Sequence, residues 1–522
     1  MSGAFQRASE VLVGGERTLA PELLIVGSGA GGAVAAATLA AGHEVVVLEE
    51  GAHRTRADFT MREDQTYPLL YQNGGPRMTE DLGIGVFQGR AVGGTTVVNW
   101  TTCFRTPARI LEHWRRVHGV RLDEAALIPH WEAVEARLSI AEIPIDQANR
   151  NNRLLWDGLG ALGLQRESLR RNVKGCMKSG YCGMGCPIDA KQSMLVTYLP
   201  DAVAAGATVI SGARVDRLEV SAGRVAAVHV TALAWNGARA RPVGRITIRP
   251  RRVLLSAGAI GTPAILLRSG LGAPSLPGGA AVGKRTFLHP ATGLVARYDD
   301  PVEGCYGAPQ AVASHALADR GDEVGLLLEA APVHPMFLAA ALGGFGGEHE
   351  ARMRAFHHYA FHGAFAVDGL HPSEPGGTVT LRPDGTPAID YPILPRIWSA
   401  LREGTRTLAR VNLAAGAREV LTSHEPGVVI RSEADLPALD RARWAPSSVA
   451  VSSFHVMGGA AMGPDPARAV VRAEDLRHHA IENLHVVDGS VFPTGLGVNP
   501  QLTIYGLARR AAVAIAAGGS AQ

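Results

Sequence analysis

Six residues near the start of the chain have the types and the spacing of a phosphate-binding turn. An apolar run ends at Val26 and is followed directly by Gly27-Ser28-Gly29-Ala30-Gly31-Gly32. In a strand-turn-helix unit, the first glycine allows the tight turn, the second lets the backbone approach a pyrophosphate, and the third lets helix and strand pack closely. The pyrophosphate would lie against the helix N-terminus, where unpaired N–H groups favour negative charge.

The segments that follow this turn support the same interpretation. An Ala-rich helical segment leads to a second apolar strand, residues 45–48, which ends at Glu49. An acid about 20 residues beyond such a turn accepts hydrogen bonds from an adenosine ribose. A membrane span is the competing interpretation of so apolar a stretch, but the glycines, His43 and Glu44 argue against it. The pattern predicts a dinucleotide site and does not by itself separate FAD from NAD.

Composition and charge limit the remaining function classes. The 522 residues include 46% hydrophobic and 19% charged residues, which is typical of a soluble globular protein, and the length predicts two or more domains. The net charge of +3 is too close to balance to indicate a nucleic-acid partner. The N-terminal residues lack the pattern of a signal peptide, so we expect a cytoplasmic protein without a transmembrane segment. Five cysteines, an odd number, do not indicate a disulfide framework.

The elements beyond the turn can be predicted from periodicity and turn residues. Residues 108–165 have the pattern of amphipathic helices, and residues 207–232 alternate like strands before a turn signal at Asn236-Gly237. Residues 300–450 change in character and contain a predicted hairpin, residues 379–389, around Asp384-Gly385. This block is expected to form a more antiparallel domain. The helical residues expected on buried faces are Trp114, Leu127, Trp131 and Leu138.

Together with three further motifs, the chain resembles the glucose–methanol–choline (GMC) family of flavin oxidoreductases. Residues 89–99 resemble the family's first signature, and residues 258–272 resemble its second. Residues 453–459 and 483–500 are similar to its C-terminal block. The resemblance extends along nearly the whole chain and implies FAD as the cofactor.

The resemblance also implies a fold and a domain organisation. We expect an α/β protein with a doubly wound, Rossmann-like FAD-binding domain and a second α+β substrate domain built on an antiparallel sheet. The FAD-binding domain would be discontinuous and comprise residues 15–110, 195–295 and 450–522. Residues 111–194 would form a helical, cysteine-containing insertion, and residues 296–449 the substrate domain.

The resemblance assigns two catalytic residues. The family's catalytic histidine lies in a His-x-x-Gly run, here His455-Val456-Met457-Gly458, and a second His or Asn precedes a proline, here Asn499-Pro500. The implied reaction oxidises CH–OH to C=O by hydride transfer to flavin N5. A neutral histidine is suited to take the hydroxyl proton, because its ordinary pKa lies close to operating pH. We therefore predict His455 as the general base and Asn499 as its hydrogen-bonding partner.

Cofactor contacts follow from the same motifs. The resemblance implies that the backbone of Val215 holds the adenine, that Asp488 lies near the ribityl chain and pyrophosphate, and that Asn99 lies beside the flavin ring. The predicted cofactor-binding residues are Gly27, Gly29, Ala30, Gly32, Glu49, Gly93, Gly94, Asn99, Val215, Asp488, Gly489 and Asn499.

A run of three cysteines raises a separate question. Cys176, Cys182 and Cys186 end in Cys-x3-Cys-Pro, which resembles the end of a ferredoxin run. Three thiolates can hold a [3Fe-4S] cluster, and the family's multisubunit hexose dehydrogenases carry one on a run of similar spacing. Members that resemble long-chain alcohol or sterol oxidases have such cysteines without a cluster. Buried thiols that stabilise a glycine-rich loop are the third alternative, and zinc would need a fourth ligand.

Three function classes stay open. The first is an FAD-dependent alcohol dehydrogenase or oxidase, the second a lyase resembling the FAD-containing hydroxynitrile lyases, and the third a flavin-binding protein without catalytic activity. The presence of both His455 and Asn499 favours the first class. We expect a small-molecule alcohol as substrate, with the apolar run at residues 336–342 as a candidate pocket lining. The electron acceptor would be O2, a quinone or a redox protein, and the motifs do not distinguish among them.

Overall fold

The structure, a computed structural model, describes residues 3–11 and 17–518. The helices of this part of the chain, apart from short 3-10 turns, are α1 (Ala8–Val11), α2 (Ala30–Leu39), α3 (Glu63–Leu70), α4 (Ala108–His118), α5 (Glu124–Arg137), α6 (Arg150–Ala161), α7 (Tyr198–Ala204), α8 (Gly258–Arg268), α9 (Pro335–Ala341), α10 (Gly346–Arg354), α11 (Pro395–Ala414), α12 (Ala438–Arg441) and α13 (Gln501–Gly518). The strands are β1 (Ala4–Arg7), β2 (Arg17–Leu19), β3 (Leu23–Val26), β4 (Val45–Glu49), β5 (Arg77–Met78), β6 (Gly85–Val86), β7 (Ile140–Glu142), β8 (Glu167–Ser168), β9 (Arg170–Asn172), β10 (Thr208–Ser211), β11 (Ala213–Ser221), β12 (Arg224–Asn236), β13 (Arg239–Ile248), β14 (Arg252–Leu255), β15 (Thr286–Phe287), β16 (Ala291–Arg297), β17 (Val312–Ser314), β18 (Gly325–Ala330), β19 (Tyr359–Val367), β20 (Thr378–Leu381), β21 (Pro387–Asp390), β22 (Glu419–Thr422), β23 (Val429–Ile430), β24 (Ser452–Ser453), β25 (Met457–Gly458) and β26 (Leu484–Val486).

A six-stranded parallel sheet carries the glycine-rich turn. Its strand order is β1-β10-β4-β3-β14-β26, and every neighbouring pair is parallel. Strands β3 and β4 are buried along their whole length, which explains their continuous apolar runs, since both faces of a parallel sheet are covered. The predicted strand-turn-helix-strand unit is therefore present, and the Rossmann-like half of the predicted fold is confirmed.

A four-stranded sheet extends this half of the molecule. Strands β11, β12 and β13 form an antiparallel meander, with β2 beside β13. The predicted turn at Asn236-Gly237 connects β12 to β13, and Gly237 has a φ of +56°, a conformation that glycine adopts without steric cost.

The second half of the molecule is built on a ten-stranded, largely antiparallel sheet. Its main path is β5-β6-β24-β16-β19-β18-β17-β8, and β22 and β23 branch from β16. Helices α6 and α11 pack against its central strands, and together they bury a separate apolar core. This arrangement confirms the predicted antiparallel second sheet. The predicted hairpin is β20–β21, in which Val379 pairs with Ile389.

The predicted amphipathic helices are α4, α5 and α6. Trp114, Leu127, Trp131 and Leu138 are fully buried, as expected for their helical faces. Trp131 packs so closely on α13 that a Cβ atom at Gly506 would lie 2.6 Å from its Nε1 atom. Among the residues described, no helix has the length and apolarity needed to cross a membrane.

Candidate active site

A cavity of about 740 Å³ lies where the parallel sheet meets the antiparallel one. Its walls come from the carboxyl ends of β3, β4 and β14, from the loop that precedes α4, and from the loop that precedes α13. Ligands of open α/β sheets bind outside the carboxyl ends of the strands, so this is the expected position for a dinucleotide. The predicted site residues on its walls are Gly27, Gly29, Ala30, Glu49, Gly94, Asn99, Val215, His455, Asp488, Gly489 and Asn499.

The glycine turn has the geometry that its sequence predicts. Gly27 has a φ of +101°, and a Cβ atom at Gly32 would lie 1.9 Å from the carbonyl oxygen of Gly27. A Cβ at Gly31 would collide with the Val487 oxygen at 1.6 Å. Gly29 differs, because a Cβ there would meet only the Cα of Gly94, at 3.7 Å. Gly29 is also the N-cap of α2 and provides no side-chain cap, so the N-terminus of this helix is left open towards the cavity.

Glu49 ends β4 and is held by its own loop. Its Oε2 accepts hydrogen bonds from the backbone N–H (3.1 Å) and the hydroxyl (2.6 Å) of Ser28, and its Oε1 accepts one from Gly51 N–H (2.8 Å). Burial raises the pKa of this carboxyl above its ordinary value. Ser28 Oγ in turn accepts a bond from Gly93 N–H at 3.0 Å. The acid thus joins the first turn to the Gly93-Gly94 loop, while one edge of it faces the cavity.

Asp488 connects the second glycine turn to the C-terminal loop. Its Oδ2 accepts bonds from Gly258 N–H (2.9 Å) and the Thr262 hydroxyl (2.6 Å), and its Oδ1 accepts two from Ser490. Burial raises the pKa of Asp488. Because both oxygens already accept two bonds from the protein, the structure shows Asp488 holding the walls of the cavity at Gly258 and Gly489.

Val215 and Asn99 lie at separate places on the cavity wall. The pairing of β11 with β12 shifts register between Val215 and Arg217, and the Val215 carbonyl accepts a bond from Arg268 at 3.3 Å. Asn99 donates to Gln501 Oε1 at 2.7 Å, and its own Oδ1 is buried without a partner in the described chain. A buried acceptor without a donor is costly, so Asn99 is suited to a bound group that carries an N–H or O–H.

The two predicted catalytic residues are in contact. His455 Nε2 and Asn499 Nδ2 are 3.1 Å apart, although the residues are 44 positions apart in sequence. The His455 ring stacks on Phe365 at a centroid distance of 5.6 Å. Burial lowers the pKa of His455 to about 4, so the free protein holds it neutral at pH 7. Asn499 Oδ1 is a second buried acceptor for which the described residues provide no donor.

Two groups behind this pair were not predicted. Glu329 is fully buried, lies 3.5 Å from Asn499 Nδ2 and accepts a bond from Gln310 at 2.8 Å. His289 contacts the other side of the His455 ring, Nδ1 to Nδ1, at 3.3 Å. The sequence gives a sign of Glu329, since it is a single acid within the apolar strand Gly-Leu-Leu-Leu-Glu-Ala. Such an acid indicates a special role, because buried acids are rare without a partner. His289 gave no such signal.

The three cysteines of the run do not form a metal-binding group among the described residues. Within the described residues no three His, Cys, Asp or Glu side chains converge on one point. Each sulfur has a different neighbour: Cys176 accepts from Lys178 N–H, Cys186 from Lys191 N–H, and Cys182 from the Arg171 guanidinium at 3.5 Å. The predicted [3Fe-4S] ligand set of Cys176, Cys182 and Cys186 is thus not supported.

A buried lysine fixes this cysteine loop to the cavity wall. Lys191 Nζ donates to the carbonyls of Val97, Asn99 (3.1 Å) and Cys182 (2.7 Å). Burial lowers the pKa of Lys191 to about 8. The loop therefore supports the segment that carries Asn99.

Comparison with known proteins establishes the family. Residues 67–291 and 372–508 match the GMC oxidoreductase family, and residues 25–77 match the NAD(P)-binding Rossmann-like domain. A GMC-type oxidoreductase of Mycobacterium tuberculosis is 36% identical over 495 residues, which cover 93% of this chain and 74% of that protein. The chain therefore belongs to the GMC oxidoreductase family.

Two further similarities bear on the class of enzyme. Long-chain-alcohol oxidase FAO4A of Arabidopsis thaliana is 27% identical over 515 residues, which cover 93% of this chain and 67% of that protein. Among solved structures, pyridoxine 4-oxidase from Mesorbium loti has a TM-score of 0.69 at 20% identity, covering 95% of this chain and 99% of that one. At this identity the structural similarity shows the shared fold.

Proposed function

We propose that this enzyme is an FAD-dependent alcohol oxidase or dehydrogenase in which His455 and Asn499 bind the alcohol oxygen. The observation that carries the proposal is the 3.1 Å contact between these two side chains at the wall of the cavity that also contains the glycine turn. The residues proposed to bind the dinucleotide and the proposed base thus line the same cavity.

The residues present fit FAD. The open N-terminus of α2 suits a pyrophosphate, and Gly29 leaves room for it because only Gly94 lies opposite. Glu49 and the Val215 backbone would hold the adenosine end. The buried Oδ1 of Asn99 would accept a bond from the far end of the bound group. When bound, FAD supplies the acceptor for the hydride from the carbinol carbon.

The side chains of the protein would then position the alcohol and move one proton. His455 is neutral in the free protein, so it is available to take the hydroxyl proton as general base. Asn499 would fix the direction of the oxygen. Phe365 packs on the imidazole and limits its rotation. Holding the alcohol in line with the hydride acceptor would lower the barrier further.

The substrate is proposed to be an apolar alcohol. Aromatic side chains line the cavity that contains His455, and Phe337, from the apolar run at residues 336–342, is one of them. Long-chain-alcohol oxidases are among the relatives, which supports the same substrate class. The remaining aromatic lining comes from Tyr67, Tyr71, Phe87, Trp100, Phe365 and Phe454. The electron acceptor is proposed to be O2, a quinone or a redox protein.

Anaerobic titration of the flavin-loaded enzyme tests this function. A series of primary alcohols of increasing chain length should bleach the flavin absorbance, with one carbonyl product formed for each flavin reduced. Free FAD with the same alcohols is the control. A protein that retains FAD but is not bleached by any alcohol would contradict the proposal, and cleavage of a cyanohydrin without bleaching would assign a lyase instead.

A further inference from the structure

His289 occupies a strained and buried position behind the catalytic pair. It lies in the loop between β15 and β16, is 1% exposed and has a φ of +44°. A left-handed backbone is costly for a residue other than glycine, and it persists only where surrounding contacts impose it. Here Asp368 Oδ1 and Oδ2 accept bonds from the backbone N–H groups of His289 (3.1 Å) and Leu288 (2.9 Å).

The contacts of the His289 ring define its tautomer. Its Nε2 atom receives the backbone N–H groups of Leu496 and Gly497, both at 3.1 Å. A backbone N–H can only donate, so Nε2 of His289 carries a lone pair and no proton. Burial and the neighbouring His455 lower the pKa of His289 well below its ordinary value, so the ring is neutral. Its single proton is therefore on Nδ1.

That proton points at the catalytic ring. His289 Nδ1 lies 3.3 Å from His455 Nδ1, so His289 donates and His455 accepts. A neutral imidazole that accepts at Nδ1 carries its proton on Nε2. Asn499 meets Nε2 with a primary amide, whose oxygen and nitrogen exchange places by a half-turn, and it accommodates either tautomer. His289 accommodates only the tautomer of His455 that is protonated on Nε2.

We propose that His289 is a positioning residue that holds the proton of neutral His455 on Nε2. The effect of this tautomer on catalysis rests on the proposed function, whereas the tautomer itself does not. His455 first meets the alcohol oxygen as a hydrogen-bond donor. It can take the hydroxyl proton at Nε2 only in its other tautomer, and that tautomer places two N–H groups against each other between the rings. The His289 contact therefore has to open before proton uptake.

Hydrogen bonds also hold the groups that surround His289 and His455. Asp368 accepts a hydrogen bond from Tyr391 as well as those from the His289 loop, and the positive charge of Arg109 in α4 acts on His289. On the other side, Glu329 reaches His455 only through Asn499. None of these groups offers an acceptor for the His289 Nδ1 proton in place of His455 within the described chain.

Long-range proton–nitrogen NMR of flavin-loaded protein labelled with 15N-histidine tests the tautomer directly, with the His455→Gln spectrum identifying the resonances. In the wild type, His455 should show a protonated Nε2 and an unprotonated Nδ1. His289→Gln places an amide oxygen near the two backbone N–H groups and removes the donor to His455. This change should move the tautomer ratio towards Nδ1–H by about tenfold, the equivalent of one ordinary hydrogen bond.

His289→Asn is the matched variant. Its amide nitrogen takes the place of Nδ1, so the wild-type His455 pattern should persist while the N–H groups of Leu496 and Gly497 lose their acceptor. A wild-type His455 protonated on Nδ1, or equal spectra in the Gln variant and the wild type, would overturn the proposal. If no alcohol reduces the flavin, the proposed function fails while the NMR result still decides the role of His289. If it does reduce it, the Gln variant should show up to about a tenfold faster reduction at saturating alcohol.

Discussion

Replacing Glu329 by glutamine should stabilise the enzyme in a strongly pH-dependent way. Burial raises the pKa of Glu329 from an ordinary value of 4.5 to about 8. The folded protein therefore keeps the proton over a range in which the unfolded chain has lost it. Because the unfolded state binds fewer protons there, the free energy of unfolding falls as pH rises from about 4.5 to about 8.

The size of the effect follows from the separation of the two pKa values. At about 1.4 kcal/mol for each pH unit, the wild type loses roughly 5 kcal/mol between pH 4.5 and pH 8. Glutamine has nearly the same shape and no ionisable group, and its carbonyl can accept the Gln310 N–H that Glu329 accepts at 2.8 Å. The free energy of unfolding of the variant should therefore not fall in this way between pH 4.5 and pH 8.

Urea unfolding of both proteins at pH 5 and pH 8 measures the difference. The two should have similar free energies of unfolding at pH 5, and Glu329→Gln should be more stable by several kcal/mol at pH 8. Glu348→Gln, at an exposed position in α10, serves as the control. An advantage of the same size at both pH values would refute the assignment of Glu329 as a neutral buried acid.

Three other substitutions test how the cavity walls are built. Gly29→Ala should fold but lose FAD, because its Cβ has no close protein contact and enters the space of the pyrophosphate. Gly31→Ala should instead lower the thermal stability of the FAD-free protein, because its Cβ would lie 1.6 Å from a carbonyl oxygen. Equal flavin retention in the wild type and in Gly29→Ala would contradict the first expectation. Lys191→Met should lower the free energy of unfolding by on the order of 3 kcal/mol, because three buried carbonyls lose their donor. It should also increase the rate at which a thiol reagent labels Cys182. Unchanged labelling and stability would contradict the role of this lysine.

The sequence was sufficient wherever short-range geometry determines structure. The turn at Gly27 requires a positive φ, and the close packing at Gly32 excludes a Cβ atom, so glycine at both positions indicates the structure that forms. The same holds for α4 and α5, whose apolar residues repeat with helical spacing. His455 and Asn499 could be named because each lies in a family motif, and the fold brings them together.

The sequence was insufficient where the site depends on contacts between distant segments. His289 meets His455 across 166 residues, and Glu329 meets Asn499 across 170. No periodicity encodes these pairs, since they arise where the antiparallel sheet meets the C-terminal loop. The spacing of Cys176, Cys182 and Cys186 left several alternatives open, and the [3Fe-4S] alternative is not supported, because these sulfurs do not form a metal-binding group among the described residues.

The rate of flavin reduction in His455→Ala tests the proposed role of His455 as general base. The measurement mixes the flavin-loaded variant with a reducing alcohol under anaerobic conditions and follows the flavin absorbance through a single turnover. His357→Ala, which removes an exposed histidine, is the matched control. We expect His455→Ala to retain FAD and its fold, while its flavin is reduced more slowly by about 10²–10⁴-fold. Reduction at the wild-type rate would contradict this role and place the proton acceptor elsewhere.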